Sequence, residues 1–254
     1  MPSLLSRTES GSLILTLNRP DHANAFNLEL ILELQTALKD AAQNPKVRTV
    51  ILTGAGNVFG AGQDIEEMRQ AAGKISYREH LHKTYNPLVL QLRKMEKPVI
   101  AAINGTCAGA SLGIALACDI RVASETASFV VGFNAICLVP DSAVSLLFPA
   151  SIGLGRAAEF TFTNAPISAE QALEWGLVNR VVSFADLMPE TIKLAAGLAA
   201  GPINTFGLTK RAFNRAALPN LEEVLDHEAE LQEIAGHREE HRTAVEAFIK
   251  RYGR

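Results

Sequence analysis

Two short runs of small residues carry the first hint of chemistry: Phe59-Gly60-Ala61-Gly62-Gln63-Asp64 and Asn104-Gly105-Thr106-Cys107-Ala108-Gly109-Ala110-Ser111. Each follows a strand-like apolar stretch and opens a segment with helical spacing. The backbone N–H groups at the start of such a helix have no intrahelical acceptor and face whatever lies above them. Small side chains suit these turns, because a bulky one would hold a ligand off the amides. Either run alone reads first as a tight strand-to-helix turn. Two of them about forty-five residues apart can aim a pair of donors at one oxygen, which is what a developing oxyanion requires. Neither run has P-loop spacing, and Gly105 to Gly109 lacks the full dinucleotide fingerprint.

A carboxylate that could move a proton stands in Cys137-Leu138-Val139-Pro140-Asp141-Ser142-Ala143. Asp141, just ahead of the apolar run 143–148, also occupies the place of a helix N-cap. Asp64 reads as the cap of the helix entered at Ile65, with Glu66 and Glu67 on its solvated side. Phe129, Phe133, Phe148 and Phe162 read as core. Cys107, Cys118 and Cys137 lie among apolar or small residues without metal-ligand spacing and read as buried, reduced thiols. The six histidines fall mostly in polar, helical-looking stretches.

The elements that must position these groups alternate. Residues 12–18 have strand alternation, 28–38 helical spacing behind Asn27, and 47–53 a β-branched apolar run. A helix over about 77–95, a strand over 98–103, a small-residue helix over 109–118 and a strand over 119–123 continue the rhythm of an α/β core. Beyond Ser183 strand signals nearly vanish, and 186–200, 205–217, 221–235 and 239–252 all have helical apolar spacing. Gly201-Pro202 is the most visible break, dividing a core over 1–200 from a helical region over 201–254.

With 254 residues, 48% of them hydrophobic, the chain can close a large core. The net charge of -3 comes with scattered Lys and Arg, which gives nucleic acid or an anionic membrane no basic stripe to meet. No segment has membrane-spanning length, and the first residues lack a signal-peptide pattern, so a cytoplasmic protein is expected.

Asn18-Arg19-Pro20, the run 59–65, Lys97-Pro98-Val99-Ile100-Ala101-Ala102-Ile103-Asn104-Gly105, Cys118-Asp119-Ile120 and Ala169-Glu170-Gln171-Ala172-Leu173-Glu174-Trp175-Gly176-Leu177-Val178 together resemble the crotonase (enoyl-CoA hydratase/isomerase) superfamily, in order and across nearly the whole chain. The resemblance implies a spiral of ββα units, a C-terminal helical region used in trimer formation, and an acyl-CoA thioester as substrate. Trimers, alone or paired, are the expected assembly. Coenzyme A would be part of the substrate, with no further cofactor and no metal.

By the same resemblance the oxyanion donors match the N–H groups of Gln63 and Ala110. Ala23, Ala25, Ala61, Gln63, Asp64, Ile65, Gly109, Phe133, Phe248 and Arg251 match substrate- or CoA-binding positions. The two glutamates of the hydratases fall here on Gly113 and Phe133, neither of which can move a proton. Pro140-Asp141 is instead similar to the ring 1,2-epoxyphenylacetyl-CoA isomerases of phenylacetate breakdown, whose catalytic aspartate matches Asp141; the glycine pair that usually follows is here Ala143-Val144. An isomerase is therefore expected, acting on a 3-enoyl chain or a ring epoxide. A hydratase with an atypical base and a non-catalytic acyl-CoA-binding subunit are the alternatives.

Overall fold

A computed structural model of the chain describes residues 2–71 and 76–252. Strands β1 (Leu4–Glu9) and β2 (Ser12–Leu17) form a hairpin whose turn residues Ser10 and Gly11 both have positive φ, 50° and 77°, the geometry that matches strand twist. Helix α1 (Leu28–Gln43) starts at Asn27, whose side chain accepts from Leu30 N–H at 3.0 Å. Glu67 accepts from Leu28 N–H at the same helix end, so it is not simply a solvated residue.

Three strand pairs follow: β3 (Thr49–Gly54) with β4 (Val58–Gly60), β5 (Val99–Ile103) with β6 (Thr106–Ala108), and β7 (Ile120–Ser124) with β8 (Ser128–Val130). The first strand of each pair joins a six-stranded sheet ordered β1-β2-β3-β5-β7-β10, where β10 is Arg180–Val182, and the second joins a four-stranded sheet ordered β4-β6-β8-β9, where β9 is Ile167–Ser168. This alternation is the expected ββα spiral. Asn104 fixes its first corner: its side chain accepts from Gly54 N–H at 3.1 Å and donates to the carbonyls of Gly54 and Gly56.

Between the pairs lie α2 (Ile65–Ala71), α3 (Tyr77–Lys83), α4 (Tyr85–Lys94) and α5 (Ala110–Ala117). A single helix over 77–95 is not what forms. Pro87 has no N–H and its ring crowds the carbonyl of Lys83, so the helix breaks at Thr84. Gln35 Nε2 takes up the carbonyls of Lys83 and Thr84, at 3.2 and 2.7 Å. After β8 come a 3-10 turn (Phe133–Ile136), α6 (Val144–Ile152), α7 (Leu154–Thr163), β9 (Ile167–Ser168), α8 (Ala169–Glu174) and β10 (Arg180–Val182).

Four helices finish the chain: α9 (Leu187–Ala199), α10 (Ile203–Ala217), α11 (Leu221–Gly236) and α12 (Glu239–Tyr252). The large sheet buries Leu15, Leu52 and Ala101 in the main core with α1 and α4, while Ile14, Ile51 and Ile100 on its other face pack against α9. Lys210 docks α10 by donating to Leu92 O at 2.6 Å and Asp119 at 2.8 Å. Helix α11 packs on α3 and α6, and α12 on α2 and the 3-10 turn.

Two expected burials fail. Phe162 is 74% exposed. Phe160, two residues earlier on α7, packs on Trp175, and positions two apart point to opposite sides of a helix. Cys137 is exposed where the 3-10 turn ends in a left-handed residue, whereas Cys107 and Cys118 are buried.

Candidate active site

The two small-residue turns meet. Gly62 has φ +89° and Gly109 φ +55°, and a Cβ at Gly62 would lie 3.1 Å from Ala108 O and 3.3 Å from Ala110 N. Only glycine permits that approach with that φ. Ser111, in the first turn of α5, accepts from Gly62 N–H at 3.0 Å and ties one turn to the other. Phe26 pins the first from outside, donating to Gly62 O at 2.7 Å and accepting from Asp64 N–H at 2.9 Å. Among the described residues neither Gln63 N–H nor Ala110 N–H has a hydrogen-bond acceptor, and both residues line one cavity of about 1040 Å³.

The side chain of Gln63 is held as firmly as its backbone. Its Oε1 accepts from the buried Tyr85 hydroxyl at 2.7 Å and from His80 Nε2–H at 3.1 Å. Burial pushes His80 down to about 4, so it serves as a neutral donor at pH 7. Burial, with the charges of Asp141, Glu67 and Asp64, drives Tyr85 well above its ordinary value and keeps it protonated.

Asp141 reaches the same cavity from the segment that follows the 3-10 turn. It is 6% exposed; its Oδ1 accepts from Ser142 Oγ at 2.7 Å and its Oδ2 from Gln232 Nε2 at 2.6 Å. Burial pushes Asp141 up to about 6 against those two donors, which favour the ionised form. The N-cap alternative for Asp141 does not hold, because another carboxylate takes that place. Glu228 of α11 accepts from Ala143 N–H at 2.8 Å and Ser145 N–H at 3.0 Å, and also from the Ser145 hydroxyl. Burial, followed by the charge of Asp141, raises Glu228 to about 7 against those three donors.

Gly113 explains why a glutamate is absent there. A Cβ on Gly113 would stand 2.5 Å from Ser142 O and 2.7 Å from Ser142 Cβ, so the turn that carries Asp141 fills the space. Ser142 and Ala143 both have left-handed φ, 57° and 64°; the first position of the usual glycine pair is thus left-handed although alanine occupies it.

Nine sequence-derived positions share the cavity wall: Gln63, Ala110, Asp141, Ala61, Ile65, Gly109, Phe133, Phe248 and Arg251. Ala23, Ala25 and Asp64 do not line it and stand behind it as supports. Ala23 O accepts from Ala61 N–H at 3.1 Å, Ala25 O from Arg19 Nη1 at 2.5 Å, and Asp64 pairs with Arg19 at 2.9 Å while capping α2 through Glu67 N–H at 3.2 Å. Sequence reasoning passed over Tyr77 and His241, which also reach the cavity. His241 Nδ1–H donates to Ile136 O at 2.6 Å, which leaves Nε2 to accept from the Tyr77 hydroxyl at 2.9 Å. Among the described residues no group of three or more His, Cys, Asp or Glu is placed to hold a metal ion, and no helix is long and apolar enough to cross a membrane.

Comparison with known proteins bears on the family and the fold. The enoyl-CoA hydratase/isomerase family model matches residues 7–253. The chain is 38% identical to the 1,2-epoxyphenylacetyl-CoA isomerase of Escherichia coli (strain K12), over 98% of this chain and 96% of the relative. It is 36% identical to 4-chlorobenzoyl coenzyme A dehalogenase-2 of Arthrobacter sp, over 87% and 80%. Among solved structures, an enoyl-CoA hydratase from Mycobacterium avium subsp. paratuberculosis K-10 superposes with a TM-score of 0.89 at 32% identity, covering 98% of this chain and 96% of that one.

Proposed function

Because the chain belongs to the enoyl-CoA hydratase/isomerase family, we propose that it isomerises an acyl-CoA thioester through an enolate, with Asp141 moving the proton. One observation carries this reading: Asp141 and the two unpaired N–H groups of Gln63 and Ala110 lie on the same cavity, while Gly113 has no room for a side chain.

The thioester carbonyl oxygen sits between the two N–H groups. Asp141 takes a proton from the acyl part; the C–H electron pair moves into the conjugated system and its charge settles on that oxygen. Each fixed donor stabilises the charge by roughly 3–4 kcal/mol in the transition state. Protonated Asp141 then returns its proton to another atom of the acyl group, and the carbonyl re-forms. With a 3-enoyl chain the product is the migrated double bond; with a ring epoxide, the proton relay accompanies opening to an oxepin. Phe133 walls the acyl group, and Ala61, Ile65, Phe248 and Arg251 flank the CoA arm. Coenzyme A arrives and leaves with the substrate, and the amides supply the charge stabilisation. The exposed apolar Leu208 and Phe213 of α10 support self-association, and the family resemblance gives a trimer, alone or paired, as its form.

The test is incubation with 3-enoyl-CoA, 2-enoyl-CoA and a ring-epoxide thioester in deuterated water. Migration or ring opening, with solvent deuterium in the product to the extent that protonated Asp141 exchanges before it returns the proton, lowered about 100-fold or more in Asp141→Asn, is the expected result. A 3-hydroxyacyl product would identify a hydratase, and binding without turnover would identify a carrier.

A further inference from the structure

We propose that Glu228 is a positioning residue for Asp141: from α11 it holds the left-handed Ser142-Ala143 turn in place and thereby sets where the aspartate carboxylate stands. This rests on the function proposed above. Glu228 is 3% exposed and does not line the cavity, so it does not meet the acyl group itself.

The geometry that points to this role is a mismatch between local sequence and local backbone. Two consecutive non-glycine residues, Ser142 at φ 57° and Ala143 at φ 64°, adopt a conformation that disfavours L side chains. Within the segment itself only Val144 N–H, donating to Asp141 O at 2.9 Å, closes the turn. Glu228 grips it from outside: one oxygen takes Ala143 N–H at 2.8 Å, and the other takes Ser145 N–H at 3.0 Å together with the Ser145 hydroxyl. A helix start is ordinarily served by a polar residue at its own N-cap. Here the N-cap is Ala143, which has no side-chain acceptor, and the service comes from 85 residues away.

The turn so held carries the aspartate's own partner. Ser142 donates to Asp141 Oδ1, and its carbonyl and Cβ fill the space beside Gly113. One helical turn beyond Glu228, Gln232 donates to Asp141 Oδ2. A single face of α11 therefore holds both the turn and the carboxylate.

The experiment uses the full-length enzyme and its best thioester substrate. Glu228→Gln turns an accepting oxygen into an NH2 group facing a backbone N–H. It is expected to lower kcat about 30-fold with KM within about threefold, the pattern of a misplaced catalytic group in an intact binding site. Because glycine adopts positive φ without a side-chain penalty, adding Ala143→Gly is expected to recover about tenfold of the loss, a rescue that a mere packing role would not produce. Wild-type kcat in Glu228→Gln, a loss carried by KM, or a double variant no better than the single one overturns the proposal. If Glu228→Gln does not fold, the double variant decides: folding with activity supports the clamp, and failure to fold overturns it. Asp141→Asn, run alongside, separates the two readings. Full activity there removes the aspartate's role, whereas an inactive Asp141→Asn beside a fully active Glu228→Gln removes the clamp alone.

Discussion

Gln232 donates from Nε2 to Oδ2 of Asp141 at 2.6 Å, across 91 residues of sequence. One oxygen of the buried carboxylate thus depends on the C-terminal part of the chain and the other on the adjacent Ser142. Both donors favour the ionised form, and burial opposes them with the larger effect.

A base must be ionised to accept a proton, so kcat/KM for isomerisation is expected to fall as pH drops through about 6. Gln232→Leu removes a donor that stabilises the carboxylate. A hydrogen bond to a charged group contributes about 1.5 kcal/mol or more, so the acid limb should move up by about one pH unit. A pH–rate profile of both proteins checks this; a limb that stays put or moves down would contradict it.

The same burial makes Asp141 a burden on stability. Its pKa rises from 3.8 to about 6 on folding, so the native state binds the proton more tightly. That contribution is harmless below about pH 4 and becomes unfavourable as pH rises through the window to 6. The ceiling is about 3 kcal/mol. Asp141→Asn escapes it in part, since its NH2 must face one of the two donors. Urea unfolding should show the variant more stable by roughly 1–2 kcal/mol at pH 8, with the advantage gone at pH 4. Equal stability at both pH values would count against a strained carboxylate.

Gly113→Ala forces a methyl group against Ser142. Overpacking of this kind costs about 1–3 kcal/mol, and displacement of the turn should lower kcat about 100-fold. Gly113→Glu, which restores the hydratase residue type, is expected to be worse still and to gain no hydration. Thermal unfolding with product analysis by chromatography tests both; a Gly113→Ala enzyme with wild-type kcat would show that the turn can yield without consequence.

The three cysteines should divide by burial. Burial drives Cys118 up to about 12 and Cys107 well above its ordinary value, which leaves both without thiolate, whereas Cys137 is exposed. A chromogenic disulfide reagent is expected to titrate Cys137 alone in the native protein and all three after unfolding. Rapid native reaction of a second thiol would place Cys107 or Cys118 differently.

The four C-terminal helices were legible because each is long and amphipathic, and their observed bounds lie within two residues of the spacing at every end. Strands β4, β6 and β8 were not, since three residues each are too few for alternation to register. The break at Thr84 was hidden because apolar spacing continues through it, although Pro87 stood in view. At the site, the turn residues and Asp141 could be read from type and order. Their supports could not, because nothing near Asp141 in sequence points to α11. A signal existed nonetheless: Glu228 and Gln232 occupy the buried stripe set by Leu221, Leu225, Ala229 and Gly236, where charge and amide are costly without a partner.

Helix α11 begins 39 residues beyond Val182, the last residue of the final strand. Both sheets can therefore be laid down on an emerging chain while the aspartate is still unfurnished. On the function proposed above, the aspartate has its distant donor and the clamp on its turn only once this helix is packed, so a protease or partner that peels the helix away would silence the protein.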